Sequence, residues 1–206
     1  MPAPTRFVAL FRALNVGGHG VVKMADLRAS FEAFGATDVT THIQSGNVLF
    51  TSRSGDADRV ARALEAHLAK HLGCTTTAFV FSRQELERAA AHNPFSPRAR
   101  EATQRCQLMF LSAAPTAERR DALMAVQRDD YLFHVHQQLL YIAYAKSLGG
   151  NRRSVDFERV LGVRGTARAW NVIDALIALL GDDAKPPAKR AVGRRAVARP
   201  KRAASR

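Results

Sequence analysis

Apolar residues recur along this chain with two alternating periods, and the alternation lays out its elements. RFVALFRAL (residues 6–14) is a nearly unbroken apolar run of strand length, the pattern of a buried strand. Met24, Leu27, Phe31 and Phe34 follow at helical spacing, and Gly35 stands just past them as a stop. DVTTHIQ (38–44) and NVLFTSR (47–53) are short β-rich runs separated by Ser45-Gly46, which predicts a hairpin. Val60, Leu64, Leu68 and Leu72 stack four apart before Gly73, so a second helix covers 56–73, and TTTAFVFS (75–82) returns to strand. Ser82 with Glu85 three residues on predicts a capping box that opens a further helix, which Pro94 stops.

The first half therefore reads β-α-β-β-α-β, the order of a ferredoxin-like unit, with one appended helix. The order then returns. RCQLMFLS (105–112) reads as a strand and TAERRDALMAVQR (116–128) as a helix capped by Thr116. YLFHVHQ (131–137) and LLYIAYAK (139–146) form a hairpin, and SVDFERVLG (154–162) a short helix. VRGTAR (163–168) suits a brief extended piece, and WNVIDALIALL (170–180) a closing helix that matches the one appended to the first half. The expected fold is α+β: two ferredoxin-like (βαββαβ) repeats with antiparallel sheets. The first unit spans residues 1–94 and the second 104–181, each with its extra helix, and a disordered basic C-terminal tail occupies 182–206. A single larger mixed sheet is the competing arrangement.

Charge sharpens the boundary of the folded part. The formal charge of +13 suggests nucleic-acid binding until it is located. Nine of the 31 Lys and Arg residues fall between Ala184 and Arg206, where there is no acid, so 22 basic residues face 18 acidic ones elsewhere, a balance of only +4. The tail is rich in Ala, Pro and Arg and lacks aromatics, so it has too little apolar surface to offset its ordering entropy. Polybasic disorder binds polyanions through counterion release, which makes residues 184–206 a candidate non-specific nucleic-acid contact; a solvated terminal extension is the alternative. Cys74 and Cys106 stand far apart with no CxxC spacing, against a disulfide framework or a cysteine-built zinc site and consistent with a reducing compartment. Arg12 interrupts the first apolar run, which reads as a strand and not a signal peptide. VIDALIALL carries Asp174 and is too short to span a bilayer. The expectation is a soluble cytoplasmic protein that does not enter membranes.

Particular residues also resemble a known family. Arg12-Ala-Leu-Asn15-Val-Gly17-Gly18, then Met24 and Leu27, then Ile43-Gln44-Ser45-Gly46-Asn47-Val48, resemble the bacterial family named domain of unknown function 1697. That family's pattern reads like RGINVGG…VxMxxL and YIQSGNVxF. Asn93-Pro94-Phe95 matches an Asn-Pro-Phe carried between its halves, and the stretch from Thr166 to Val172 is similar to its TTRNWNT ending. His42 stands where the family usually has Tyr, and Ala169 and Val172 depart from the RNWNT pattern. The resemblance covers roughly residues 6 to 181. It implies a duplicated ferredoxin-like architecture and no established activity, so function is argued from residues.

Topology supplies the functional clue. In a ferredoxin-like sheet of order 4-1-3-2, the loop after the first strand and the hairpin between the second and third strands lie at one edge. Asn47 should then begin close to where Leu14-Asn15 ends. Asn15, Gln44, Ser45 and Asn47 offer amide and hydroxyl groups there, and Gly17, Gly18, Gly20 and Gly46 admit a ligand to the backbone. The following helix aims its positive end at the same place, with Arg12 and Lys23 as charges. This chemistry suits a small phosphate-, carboxylate- or nucleotide-like anion. The same residues suit, somewhat better, two turns braced against each other. Neither a GxGxxG fingerprint nor a P-loop is present. Arg168, Trp170 and Asn171 form a secondary candidate, with Trp170 also suited to anchoring the last helix.

The remaining chemistry is sparser. His134 and His136 share one face of a strand, but no third ligand lies near in sequence, so no metal or other cofactor is expected. Cys74 reads as a small buried hydrophobe, and Phe79, Phe81, Tyr141 and Tyr144 as core. The expectation is a binding protein for a small anion rather than an enzyme. An enzyme using Lys23 or His19 as acid or base at the same edge is the second reading. A nucleic-acid binder acting through residues 184–206 is the third.

Overall fold

A computed structural model describes residues 3–12, 14, 22–43, 46–95, 106–128, 131–144 and 155–181. The tail expected to be disordered lies outside them. The first half contains β1 (Thr5–Phe11), α1 (Met24–Ala33), β2 (Thr37–His42), β3 (Asn47–Ser52), α2 (Ala57–Leu72), β4 (Ala78–Ser82) and α3 (Arg83–Ala91). The second contains β5 (Cys106–Leu111), α4 (Ala117–Met124), β6 (Tyr131–His136), β7 (Leu139–Tyr144), α5 (Phe157–Leu161), β8 (Gly165–Ala169) and α6 (Trp170–Gly181). Two antiparallel four-stranded sheets result, ordered β2-β3-β1-β4 and β6-β7-β5-β8. This is the duplicated ferredoxin-like arrangement that the order of elements implies.

Local chemistry sets most boundaries. Asp56 caps α2 by accepting the Arg59 amide at 2.9 Å, and Gly73 ends that helix in the left-handed region. Ser82 and Glu85 form the expected capping box at α3. Thr116 caps α4, but that helix stops at Met124, four residues before the apolar pattern suggested. There the chain tightens, with Val126 and Gln127 donating to Leu123 and Met124.

The unbroken apolar run of β1 reflects burial on both faces. Phe7, Ala9 and Phe11 turn towards α1 and α2, where Phe31 packs edge-on against Phe11 and Phe50 at 6.0 and 5.1 Å. Val8 and Leu10 turn the other way and join a core that belongs to both halves. That shared core takes Leu49 and Phe79 from the first sheet and Leu108, Phe110 and Tyr141 from the second. The two extra helices contribute Leu86 and Ala89 from α3 and Ile173, Leu176 and Leu180 from α6. Phe81 and Phe110 meet across the sheets with ring centroids 4.4 Å apart. The outer face of the second sheet is covered by α4 and α5 through Leu123 and Leu161. The sheets thus face each other, and the helices that looked like appendages line the space between them.

Candidate functional site

The ends of three segments meet beside β1. Leu10 pairs with Asn47, and the Phe11 amide donates to the Gly46 carbonyl at 3.0 Å. The Arg12 amide donates to Thr77 at 3.0 Å, and the Thr76 hydroxyl donates to the Arg12 carbonyl at 2.8 Å. The chain leaving β1, the β2–β3 hairpin and the approach to β4 therefore share one edge. Gly46 is needed there: its φ is +71°, and an added Cβ would stand 3.4 Å from both Leu14 Cβ and Phe11 Cβ. Asn15, Gly17, Gly18, His19, Gly20, Gln44 and Ser45 lie outside the described residues.

The second half reaches into this edge. On β8, Thr166 and Arg168 point inward while Ala167 and Ala169 are exposed, as strand alternation requires. Arg168 is 8% exposed. Its Nε donates to Asn47 Oδ1 at 2.6 Å, Nη1 to Thr166 Oγ1 at 2.7 Å and to the Ala167 carbonyl at 2.8 Å, and Nη2 to the Phe11 carbonyl at 3.1 Å. Thr166 Oγ1 donates to the same Phe11 carbonyl at 3.2 Å. Asn47 is fully buried, and its amide nitrogen donates to the His42 carbonyl at 3.0 Å. Burial pulls the Arg168 guanidinium down to about 10, which still leaves it cationic at neutral pH. Among the described residues, Asn47 of the primary candidates and Arg168 of the secondary ones are thus joined directly.

Arg12 is matched differently. Its Nε and Nη2 grip the two carboxylate oxygens of Glu158, both at 2.6 Å, and Glu158 also accepts the Gly165 amide at 3.1 Å. The shared hydrogen bonds hold the guanidinium above and the carboxyl below their ordinary ranges. Lys23 is exposed immediately before α1, whose N-terminus has no side-chain cap. Ile43, next to Gln44, adopts φ +59° while 56% exposed, an unfavourable backbone for a β-branched residue. Trp170 packs on the shared core and Asn171 is exposed.

Glu158 carries no signal in local sequence. Glu158 reads as a first-turn acid of a short helix, and only the facing of the two halves brings it to Arg12. Thr166 was recoverable in principle, as the polar residue two positions before the candidate Arg168 on a short strand.

Elsewhere, His136 stacks on His92 with centroids 4.5 Å apart, while His134 lies 6.2 Å from the Tyr141 ring. Among the described residues no group of three His, Cys, Asp or Glu side chains is placed to hold a metal, and no helix is long and apolar enough to cross a membrane. Burial raises the Cys74 thiol, which disfavours the thiolate.

The two facing sheets define a duplicated ferredoxin-like protein whose halves meet in a polar seam of Phe11, Asn47, Thr166 and Arg168. Residues 5–141 match the family described as protein of unknown function (DUF1697), and the chain belongs to that family. Among solved structures it is similar to the conserved bacterial protein SP0830 from Streptococcus pneumoniae. That likeness has a TM-score of 0.67 and 22% identity over 86% of this chain and 99% of the other, which is a statement about fold. No curated protein matches the chain.

Proposed function

We propose that this protein is a binding module for a small anionic ligand, phosphate- or nucleotide-like, at the edge where the 15–20 loop meets the 44–47 hairpin. The observation that carries this reading is the buried Arg168 guanidinium, fixed against Asn47 and Phe11 at the base of both segments. A buried cation imposes a positive field that water screens poorly, so it favours an anion at the nearby surface. Lys23 adds an exposed charge at the start of α1. Gly17, Gly18 and Gly46 would let the ligand reach backbone amides, with Asn15, Gln44 and Ser45 as hydrogen-bonding side chains. Arg12 is mainly a brace in this scheme, since Glu158 matches its charge. The strained Ile43 backbone beside the hairpin supports the same location, because such strain collects at ligand clamps.

Thermal unfolding of the full chain with inorganic phosphate, pyrophosphate and nucleoside mono-, di- and triphosphates tests this. A ligand at a hundred times its Kd adds about 2.7 kcal/mol, a clear rise in melting temperature. The rise should vanish in Lys23→Ala, which lies on the surface. No rise with any of these anions at about 5 mM, a concentration that would reveal millimolar affinity, overturns the reading.

A further inference from the structure

A cleft of about 250 Å³ touches α2 on one side and β5 with the β6–β7 turn on the other. Because α2 covers one face of the first sheet and β5 and β7 lie against the opposite face, a cleft bordered by both must run along the sheet's edge. That edge is β4, and all of Thr77 to Phe81 border the cleft. Its apolar wall is Phe79, Phe81, Phe110 and Leu139, and its helical wall includes Ala61, Arg62 and Glu65.

The backbone at this edge has a definite pattern. Arg12, the residue after β1, donates its amide to Thr77 in the register of the β1–β4 ladder, so Thr77, Phe79 and Phe81 direct their amide and carbonyl groups inward to β1. Ala78, Val80 and Ser82 direct theirs outward. Glu65 accepts the Ala78 amide at 2.8 Å and Glu85 accepts the Ser82 amide at 2.7 Å. The two carboxylates blunt the ends of the edge and prevent a long strand from adding to it. Val80 remains between them, with its amide and carbonyl unpaired among the described residues.

We infer that this cleft binds a short extended peptide segment, one residue of which exchanges both backbone hydrogen bonds with Val80. In such a pair the opposed side chains lie on the same face. The central ligand residue then sits beside Ala61 and must be small, while its two neighbours point to Phe79, Phe81, Phe110 and Leu139 and must be apolar. The recognised segment is therefore apolar–small–apolar. The mode is strand addition cut to a single residue pair. It is separate from the anion site, and each stands or falls alone.

The test uses the full chain, uniformly ¹⁵N-labelled, titrated with acetyl-Leu-Ala-Leu-amide. Saturable amide shifts are expected at Val80 and Ala61 and in the β6–β7 turn. The same peptide N-methylated at its central alanine lacks the donor for the Val80 carbonyl and should bind at least tenfold more weakly. Ser112→Trp, at an exposed position bordering the cleft, should block binding without lowering the melting temperature. Equal affinity for the two peptides, an unshifted Val80 amide at about 5 mM peptide, or unchanged binding to Ser112→Trp overturns the inference.

Discussion

Arg168 Nε donates to Asn47 Oδ1 at 2.6 Å, joining the last strand of the second half to the first residue of β3. Both side chains are buried, so neither can exchange its partner for water. Asn47→Ala takes the acceptor from the buried Arg168 Nε and also removes the side-chain bond to the His42 carbonyl. A loss of about 2–4 kcal/mol in urea unfolding is expected, because bonds to charged groups are worth roughly 1.5–3 kcal/mol and an unmet buried group adds its desolvation. Arg168→Met should cost less than Arg168→Lys, since lysine would bury a charge without the planar fork that serves Asn47, Thr166 and Phe11 together. A double-mutant cycle of Asn47→Ala with Arg168→Met should give a coupling of at least about 1 kcal/mol. Additive losses would mean that the two residues act independently.

Ile43 offers the opposite sign. Its left-handed backbone costs roughly 1–2 kcal/mol for an ordinary L-residue, whereas asparagine tolerates it, and its exposed side chain loses little on replacement. Ile43→Asn should raise stability by about 0.5–1.5 kcal/mol in urea unfolding. If the strain serves the anion site, the stabilised variant will also show a smaller melting-temperature rise with the anion that shifts the parent protein.

The Arg12–Glu158 pair predicts acid sensitivity. The hydrogen bond from Arg12 depresses the Glu158 carboxyl, followed in effect by the amide of Gly165 against the opposing pull of burial. A depressed acid contributes stability above its unfolded value of about 4.3, and that contribution fades as pH falls through the lower folded value. The side chains are 37% and 30% exposed, so solvent screening limits the pair to about 1 kcal/mol. Glu158→Gln should lower unfolding free energy at pH 7 by up to this amount and flatten its decline below pH 4.5. An unchanged slope would assign the acid sensitivity to other carboxylates.

The pattern of apolar positions carried most of the fold because each strand and helix has its own period and its own stop. Asp56, Gly73, Ser82 and Thr116 act on immediate neighbours, and their effects are readable within four residues. The facing of the two sheets is different in kind. Val8 and Phe110 are 102 positions apart, and nothing near either residue names the other. The convergence of Asn47 with the end of β1 followed from strand order alone, whereas Arg168 and Glu158 arrive from the other half through that same unreadable packing. All of residues 15–20, and Gln44 and Ser45 of the hairpin, lie outside the described residues.

His67 predicts a separate response at milder pH. Burial lowers its basicity first, and the neighbouring charge of His71 on the same helix adds to that, with Lys70 acting in the same direction. The two rings stack at 4.3 Å, and Asp26 and Ser30 of α1 line the same cleft. A base whose folded value is depressed favours the neutral form. Its contribution is present above the ordinary value of about 6.5 and is lost as pH falls through the lower folded value. His67→Gln should therefore flatten the drop in unfolding free energy between pH 7 and pH 5. A parallel curve for the variant would remove His67 from the account.

The shared core makes the two halves interdependent. Cutting after Phe95 would expose Val8, Leu10, Leu49, Phe79 and Phe81, which pack against the second half or the helices between the sheets. At roughly 1.5–3 kcal/mol each, this is at least about 7 kcal/mol, comparable with the whole stability of an ordinary domain. Residues 1–95 expressed alone should bind a hydrophobic dye and show no cooperative thermal transition. In the intact chain, Tyr141→Phe removes one fully buried bond across the halves, from the Tyr141 hydroxyl to the Ala89 carbonyl at 2.6 Å. A loss of about 1–2 kcal/mol is expected, with the chain still unfolding in a single step. Two resolved transitions, in the parent or in Tyr141→Phe, would show that the halves fold as separate domains despite the core they share.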